Sequence, residues 1–153
     1  MEQSSNSLYI PSKAFSIASV AVLIIGITTY MVGLFNTKML LNEKGYYLIV
    51  LMYGLFSAVS LQKSIRDKQE HIPTSKIYHL LCMISTAAAI GLLGVGLFNA
   101  DLLLSEKGFY GIAYLMSLYA AVAVQKNIRD KATLKQNMPE ESTVLNTDTM
   151  DKE

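Results

Sequence analysis

The chain has no tryptophan, one cysteine and three prolines among 153 residues. A lone thiol, Cys82, excludes an internal disulfide and gives no cluster with metal-ligand spacing. His71 and His79 are the two histidines, and around them no Ser/His/Asp arrangement, phosphate-cradling glycine loop or enclosed carboxylate pair can be assembled. The sequence therefore points away from an enzyme, and no cofactor or metal is expected. Charge is also scarce, at 16% against roughly 25% in soluble domains. It is missing altogether from four windows: Ala14–Thr37, Gly45–Gln62, Ile77–Ala100 and Gly108–Gln125. Ionisable groups within membrane segments mark ion pathways and proton relays, so their absence weighs against ion-coupled transport.

These windows are apolar on every side, whereas an amphipathic helix of a soluble bundle keeps one polar face. Runs of about 17–25 residues match a hydrocarbon core of about 30 Å at about 1.5 Å rise per residue. The expectation is four membrane-spanning helices. The first run follows a single lysine, Lys13, is longer than a signal-peptide core and lacks a small-residue cleavage pattern, so it is expected to remain as an anchor.

The chain is also written twice. Gly33-Leu34-Phe35-Asn36 and Glu43-Lys44-Gly45 return 63 positions later as Gly96-Leu97-Phe98-Asn99 and Glu106-Lys107-Gly108, and pairing 13–68 with 76–131 gives 23 identities in 56 positions. The predicted fold is an all-α membrane protein of two tandem helical hairpins, 13–68 and 76–131, joined by a linker at 69–75. Helices are expected at about Ala14–Phe35, Gly45–Leu61, Ile77–Phe98 and Gly108–Val124, with ten-residue turns on one side. Residues 1–12 and the acidic 132–153 lack apolar periodicity and read as disordered tails.

Lysine and arginine counts near the helix ends set orientation. Nine lie on the side of Lys13, Lys63, Arg66, Lys68, Lys76, Lys126, Arg129, Lys131 and Lys135, and three, Lys38, Lys44 and Lys107, on the other. Both termini are thus expected in the cytoplasm. Each repeat crosses twice, so its copy enters from the same side and the pseudo-twofold axis runs along the membrane normal.

Two recurring segments are candidate sites. In the outer turns, Asn36, Glu43, Lys44, Asn99, Glu106 and Lys107 form an external site if they meet across the pseudo-twofold; alternatively they cap helices, with Asn42 and Ser105 as N-caps and Glu43 and Glu106 near positive helix ends. The inner Gln-Lys-x-Ile-Arg-Asp-Lys segments bring Lys63, Arg66, Asp67, Lys126, Arg129 and Asp130 to the cytoplasmic surface. They suit contact with anionic lipid or a partner, or intramolecular Arg–Asp pairing. Small residues at Gly54/Ala58, Ala87/Gly91/Val95 with Gly94, and Ala113/Ser117/Ala121 are expected as seams within the bundle. Phe35, Tyr46, Tyr47, Phe98, Phe109 and Tyr110 read as an outer aromatic belt, Phe15 and Tyr78 as an inner one, and His79 as interfacial.

With these motifs set out, the sequence resembles the YiaA/YiaB inner-membrane proteins, whose unit is the YiaAB two-helix domain. The matching stretches include Leu41-Asn42-Glu43-Lys44-Gly45-Tyr46-Tyr47, Leu102–Gly111 and Val122–Asp130, the last similar to the longer, YiaA-type members. The resemblance implies two domain copies in a bacterial inner membrane and brings no catalytic residues with it. The expected role is non-enzymatic, through packing against lipid, a second copy or another membrane protein, with no nucleic acid. The rival expectation is a small oligomeric transporter or channel for a neutral or hydrophobic solute.

Overall fold

The computed structural model describes residues 12–137. Four helices follow in order: α1 (Lys13–Asn36), α2 (Leu41–Gln69), α3 (Lys76–Asn99) and α4 (Leu104–Asn137). All four are long and apolar enough to cross a membrane. Residues 1–11 and 138–153, read from sequence as parts of the two tails, lie outside the described residues.

The surface is inverted relative to a water-soluble bundle. Phe98 is 83% exposed and Phe56 74%, whereas Tyr30 and Tyr114 are at 0%. Hydrocarbon surrounding the bundle gives apolar side chains no reason to turn inward, while a polar hydroxyl gains by finding an internal partner. The interior accordingly holds tyrosines, serines and small residues beside core leucines such as Leu34 and Leu51. Tyr30 Oη donates to the Tyr47 carbonyl at 2.9 Å, and Tyr114 Oη to the Val50 carbonyl at 3.1 Å.

The repeats interlock. α1 packs along α4, α3 along α2, and α2 crosses α4 at the centre, while the two helices of one repeat barely touch. α2 and α4 are the less hydropathic and more buried pair, with α1 and α3 outside them. Close approach is set by glycine. A Cβ on Gly33 would lie 2.8 Å from the Phe109 ring, and one on Gly96 2.7 Å from the Tyr46 ring, at matching places in the two copies. At the central crossing, Tyr114 occupies the space a Cβ on Gly54 would need.

Several local expectations are corrected. α2 and α4 do not stop where the apolar runs end, near Leu61 and Val124, but continue to Gln69 and Asn137. The polar motif stays helical because lysine and aspartate at i,i+4 bond along the same face, so residues 132–137, expected in a disordered tail, belong to α4. The inner turn is short and closes with His71 at φ 55°, a left-handed residue that lets Ile72 N–H reach the Asp67 carbonyl at 2.9 Å. The outer turns shrink from ten residues to four, Thr37–Leu40 and its copy Ala100–Leu103. Of the small-residue seams, those of α2 and α4 are buried, but on α3 Ala87, Gly91, Gly94 and Val95 face outward. α3 instead buries Cys82, Ala89, Leu93 and Leu97, the face turned to α2.

Candidate functional site

At the outer end the two short turns enclose a cup of about 1050 Å³, lined by nine residues from each copy at matching positions. Glu43 Oε2 accepts the Leu40 N–H at 2.9 Å, and Glu106 Oε2 accepts the Leu103 N–H at 2.9 Å. Lys44 Nζ donates to the Phe35 carbonyl at 3.0 Å and Lys107 Nζ to the Phe98 carbonyl at 3.2 Å. Asn36 and Asn99 each donate to a carbonyl one turn back, Val32 and Val95, at 2.9 Å. Each glutamate thus satisfies an orphan donor where a helix begins, and each lysine an orphan carbonyl where one ends.

The cup brings Asn36, Asn99, Glu43 and Glu106 together, while Lys44 and Lys107 stay outside its lining. Asn42 and Ser105 are not N-caps, because Leu40 precedes α2 and Leu103 holds the matching place before α4. The glutamates supply the capping bonds, leaving Asn42 and Ser105 in the cup wall.

Its floor is aromatic. Tyr47 and Tyr110, twofold mates, stack with ring centroids 6.4 Å apart and planes at 21°. Both are buried rather than members of an outer belt, which Phe35 and Phe98 do occupy by exposure. Each ring lies where a glycine on the facing helix, Gly33 or Gly96, leaves room. Sequence reading missed this inward turn. The available signal was that tyrosine stands at 47 and 110 in both copies, while the neighbouring position changes from Tyr46 to Phe109.

The twofold is broken at five of the nine matched places in the cup: Met39 against Leu102 and Asn42 against Ser105 are mild changes, while Thr37 against Ala100, Lys38 against Asp101 and Tyr46 against Phe109 change the chemistry. Thr37 Oγ1 donates to the Gly33 carbonyl at 2.7 Å, so in their short contact Tyr110 Oη is the donor to Thr37. Ala100 offers Tyr47 no such partner. Tyr46 Oη donates instead to the Leu92 carbonyl at 2.6 Å.

The inner end is built differently. Arg66 Nη2 meets Asp130 Oδ1 and Arg129 Nη2 meets Asp67 Oδ1, both at 2.5 Å, a reciprocal cross between α2 and α4. Lys63 and Lys126 complete each aspartate from its own helix at 2.7 and 2.8 Å. Glu70 accepts from both arginines, at 2.8 Å from Arg66 and 3.1 Å from Arg129. All these groups lie beyond the apolar, membrane-spanning runs. The bonds from Lys63 and Arg129 hold the Asp67 carboxyl below its ordinary value. Burial pushes Asp130 the other way, but the bonds from Lys126 and Arg66 outweigh it and its value is also lowered. Arg66 chiefly lowers Glu70. The intramolecular Arg–Asp pairing considered from sequence is therefore formed.

A step inward, Ser64 Oγ and His79 Nδ1 are 2.8 Å apart, so His79 is half-buried and partnered between α2 and α3. The matching place between α1 and α4 holds Asn127, whose Nδ2 donates to Ser19 Oγ at 3.3 Å. Sequence reasoning passed over both positions; 64 and 127 are where the inner motif varies. Among the described residues no group of three His, Cys, Asp or Glu could hold a metal ion.

Comparison with known proteins agrees with the doubled architecture. The model of the yiaA/B two helix domain matches twice, at residues 15–67 and 78–130. The chain is 55% identical to inner membrane protein YiaA of Escherichia coli (strain K12) over 139 residues, covering 91% of this chain and 94% of the relative. It is 30% identical to inner membrane protein YiaB of the same organism over 96 residues, 63% of this chain and 81% of the relative. A third similarity, 36% over 58 residues, is to the uncharacterized membrane protein YubF of Bacillus subtilis (strain 168), covering 37% of this chain and 67% of the relative. No solved structure matches the chain. With two matched copies of the domain on four membrane-spanning helices, the chain belongs to the YiaAB family of polytopic membrane proteins.

Proposed function

We propose that this is a non-enzymatic inner-membrane protein that works by association, with the outer cup as its working surface and both termini in the cytoplasm. The carrying observation is the cup itself, lined by matched residues of both copies around the pseudo-twofold. Its two glutamates each hold a backbone N–H and stand exposed to water, which suits positioning and recognition rather than acid–base chemistry in an enclosed site. The nine-to-three excess of lysine and arginine supports the orientation.

A photo-crosslinking residue at Glu43 or Glu106 in living cells tests association. Capture of a second copy or of another membrane protein supports it, and capture of lipid and water alone counts against a protein partner. Reporter fusions at Lys68 and after Lys131 are expected to read cytoplasm and one at Met39 the opposite side; a cytoplasmic signal at Met39 overturns the orientation.

One observation favours a second reading, transport of a neutral or hydrophobic solute: the bundle is hollow at the outer end and bridged by ion pairs at the inner end. Flux across liposomes containing the purified protein decides it, and silence across a broad solute panel removes it.

A further inference from the structure

We propose that the outer cup binds a zwitterion, an ammonium group with a phosphate or carboxylate a few atoms away, whether carried by an aminophospholipid headgroup or by a free small molecule. The inference rests on the cup being the working surface and names the chemistry it selects.

The first observation is Tyr47. The residue is 4% exposed and lines the cup, yet its hydroxyl has no hydrogen bond among the described residues. Its twofold mate Tyr110 shows what that position ordinarily does, donating to Thr37; at the equivalent place Ala100 presents a methyl group. Among the described residues the fully enclosed side-chain atoms without a partner are Ser16 Oγ and Asn127 Oδ1. The Tyr47 hydroxyl is therefore not sealed off, and the space it opens on is the cup. A phenol hydroxyl that opens on the cup and is held by no protein atom is free to bond a ligand atom there.

The second observation is the uneven charge around the rim. Three carboxylates, Glu43, Asp101 and Glu106, and one ammonium, Lys38, line the cup. The net charge of −2 rejects a simple anion and attracts a cation. The aromatic floor adds to that attraction, because ring faces carry negative charge. Lys38 and Asp101 occupy twofold-equivalent positions with opposite sign, and neither forms an ion pair among the described residues. The Lys38 wall, shared with Glu43, is neutral and offers one ammonium to anionic oxygens, whereas the opposite wall, Asp101 with Glu106, carries −2 and suits an ammonium. The free Tyr47 hydroxyl and Ala100 lie on the Asp101 side, where the hydroxyl can accept an ammonium N–H. At about 1050 Å³ the cup reaches the upper size of ligand sites, large enough for a headgroup with part of its glycerol.

The test uses the full chain purified in detergent and in nanodiscs. O-phosphoethanolamine is the free probe, followed by calorimetric titration. Phosphatidylethanolamine mixed with phosphatidylglycerol is the lipid probe, followed by native mass spectrometry of the retained lipid. Binding in either arm supports the proposal and identifies the source. Tyr47→Phe removes a hydroxyl that holds nothing else, and Asp101→Asn a carboxylate with no internal partner, so both variants are expected to fold normally. Each is expected to weaken retention about five-fold, the effect of one hydrogen bond. Retention of phosphatidylglycerol equal to that of phosphatidylethanolamine, unchanged retention in both variants, or silence in both arms would overturn it. Silence combined with protein capture at Glu106 would sink the zwitterion and leave the cup as a protein-docking surface.

Discussion

The two ends of this bundle stand on the same pseudo-twofold axis and treat it in opposite ways. At the inner end the axis is bridged by Arg66–Asp130 and Arg129–Asp67. At the outer end it opens into the cup. The difference follows from what duplication does. A twofold brings each residue toward its own copy, so a segment carrying an acid and a base one position apart becomes complementary to itself. Arg-Asp beside Arg-Asp gives two crossed pairs. Glu43 beside Glu106 and Asn36 beside Asn99 give like against like, with no bond to close the gap. Only departures from symmetry, such as Thr37 and Lys38 facing Ala100 and Asp101, restore complementarity there.

The largest expected effect lies at the crossing both ends share. Gly54→Leu pushes α2 away from Tyr114 and is expected to cost about 3 kcal/mol or more, read as loss of the folded state in detergent unfolding. An intact bundle in that variant would mean α2 and α4 do not cross there. Next comes the inner cross. A double-mutant cycle of Asp67→Asn and Arg129→Met is expected to give a coupling of about 1–2 kcal/mol, below a fully buried pair because water reaches the guanidinium. Zero coupling would leave the inner end unbridged.

Acid sharpens the same contrast. Asp67, Asp130 and Glu70 all have folded-state values below their ordinary 3.8, 3.8 and 4.5. Their stabilisation is complete above those ordinary values and disappears as pH falls through the lowered ones. Unfolding midpoints should drop below about pH 4 in the native chain, and less steeply once both aspartates are asparagine. At the outer end, Tyr110→Phe should lose about 1 kcal/mol with its bond to Thr37, whereas Tyr47→Phe without ligand should change stability by under about 0.5 kcal/mol. Equal losses would mean that Tyr47 has an internal partner. An effect of opposite sign is expected at the inner turn, where His71→Gly relieves a left-handed residue and should stabilise by about 0.5 kcal/mol.

Much of the architecture was legible because lipid tolerates so little. Charge cannot enter the four windows, so their edges announce the spans, and Gly33-Leu34-Phe35-Asn36 returning at 96–99 announces the duplication. Helix ends were less legible, since leaving the hydrocarbon ends apolarity without ending the helix; Gln62–Gln69 stays helical in water. Helix pairing was hidden too. A repeated two-helix unit can bury its seams against its own partner or against the other copy, and the local pattern is the same in both cases. That is why the Ala87/Gly91/Gly94/Val95 stripe was read as internal although α3 turns Leu93 and Leu97 to α2 instead. In the outer turns both sequence readings share the same residues: Glu43 and Glu106 cap helices and line the cup. The buried Tyr47 and Tyr110 escaped notice because aromatic residues near a membrane surface are equally expected in a belt.

The most direct measurement of an axis open outside and bridged inside is labelling of single cysteines by a membrane-impermeant maleimide. It uses a Cys82→Ser background, in spheroplasts and in inverted vesicles. Ser105→Cys should label rapidly from the outer face only, Lys68→Cys rapidly from the cytoplasmic face only, and the buried Ser64→Cys slowly, from the cytoplasmic face only. Rapid cytoplasmic labelling at 64, or protection of 105 from the outer face, would contradict the account.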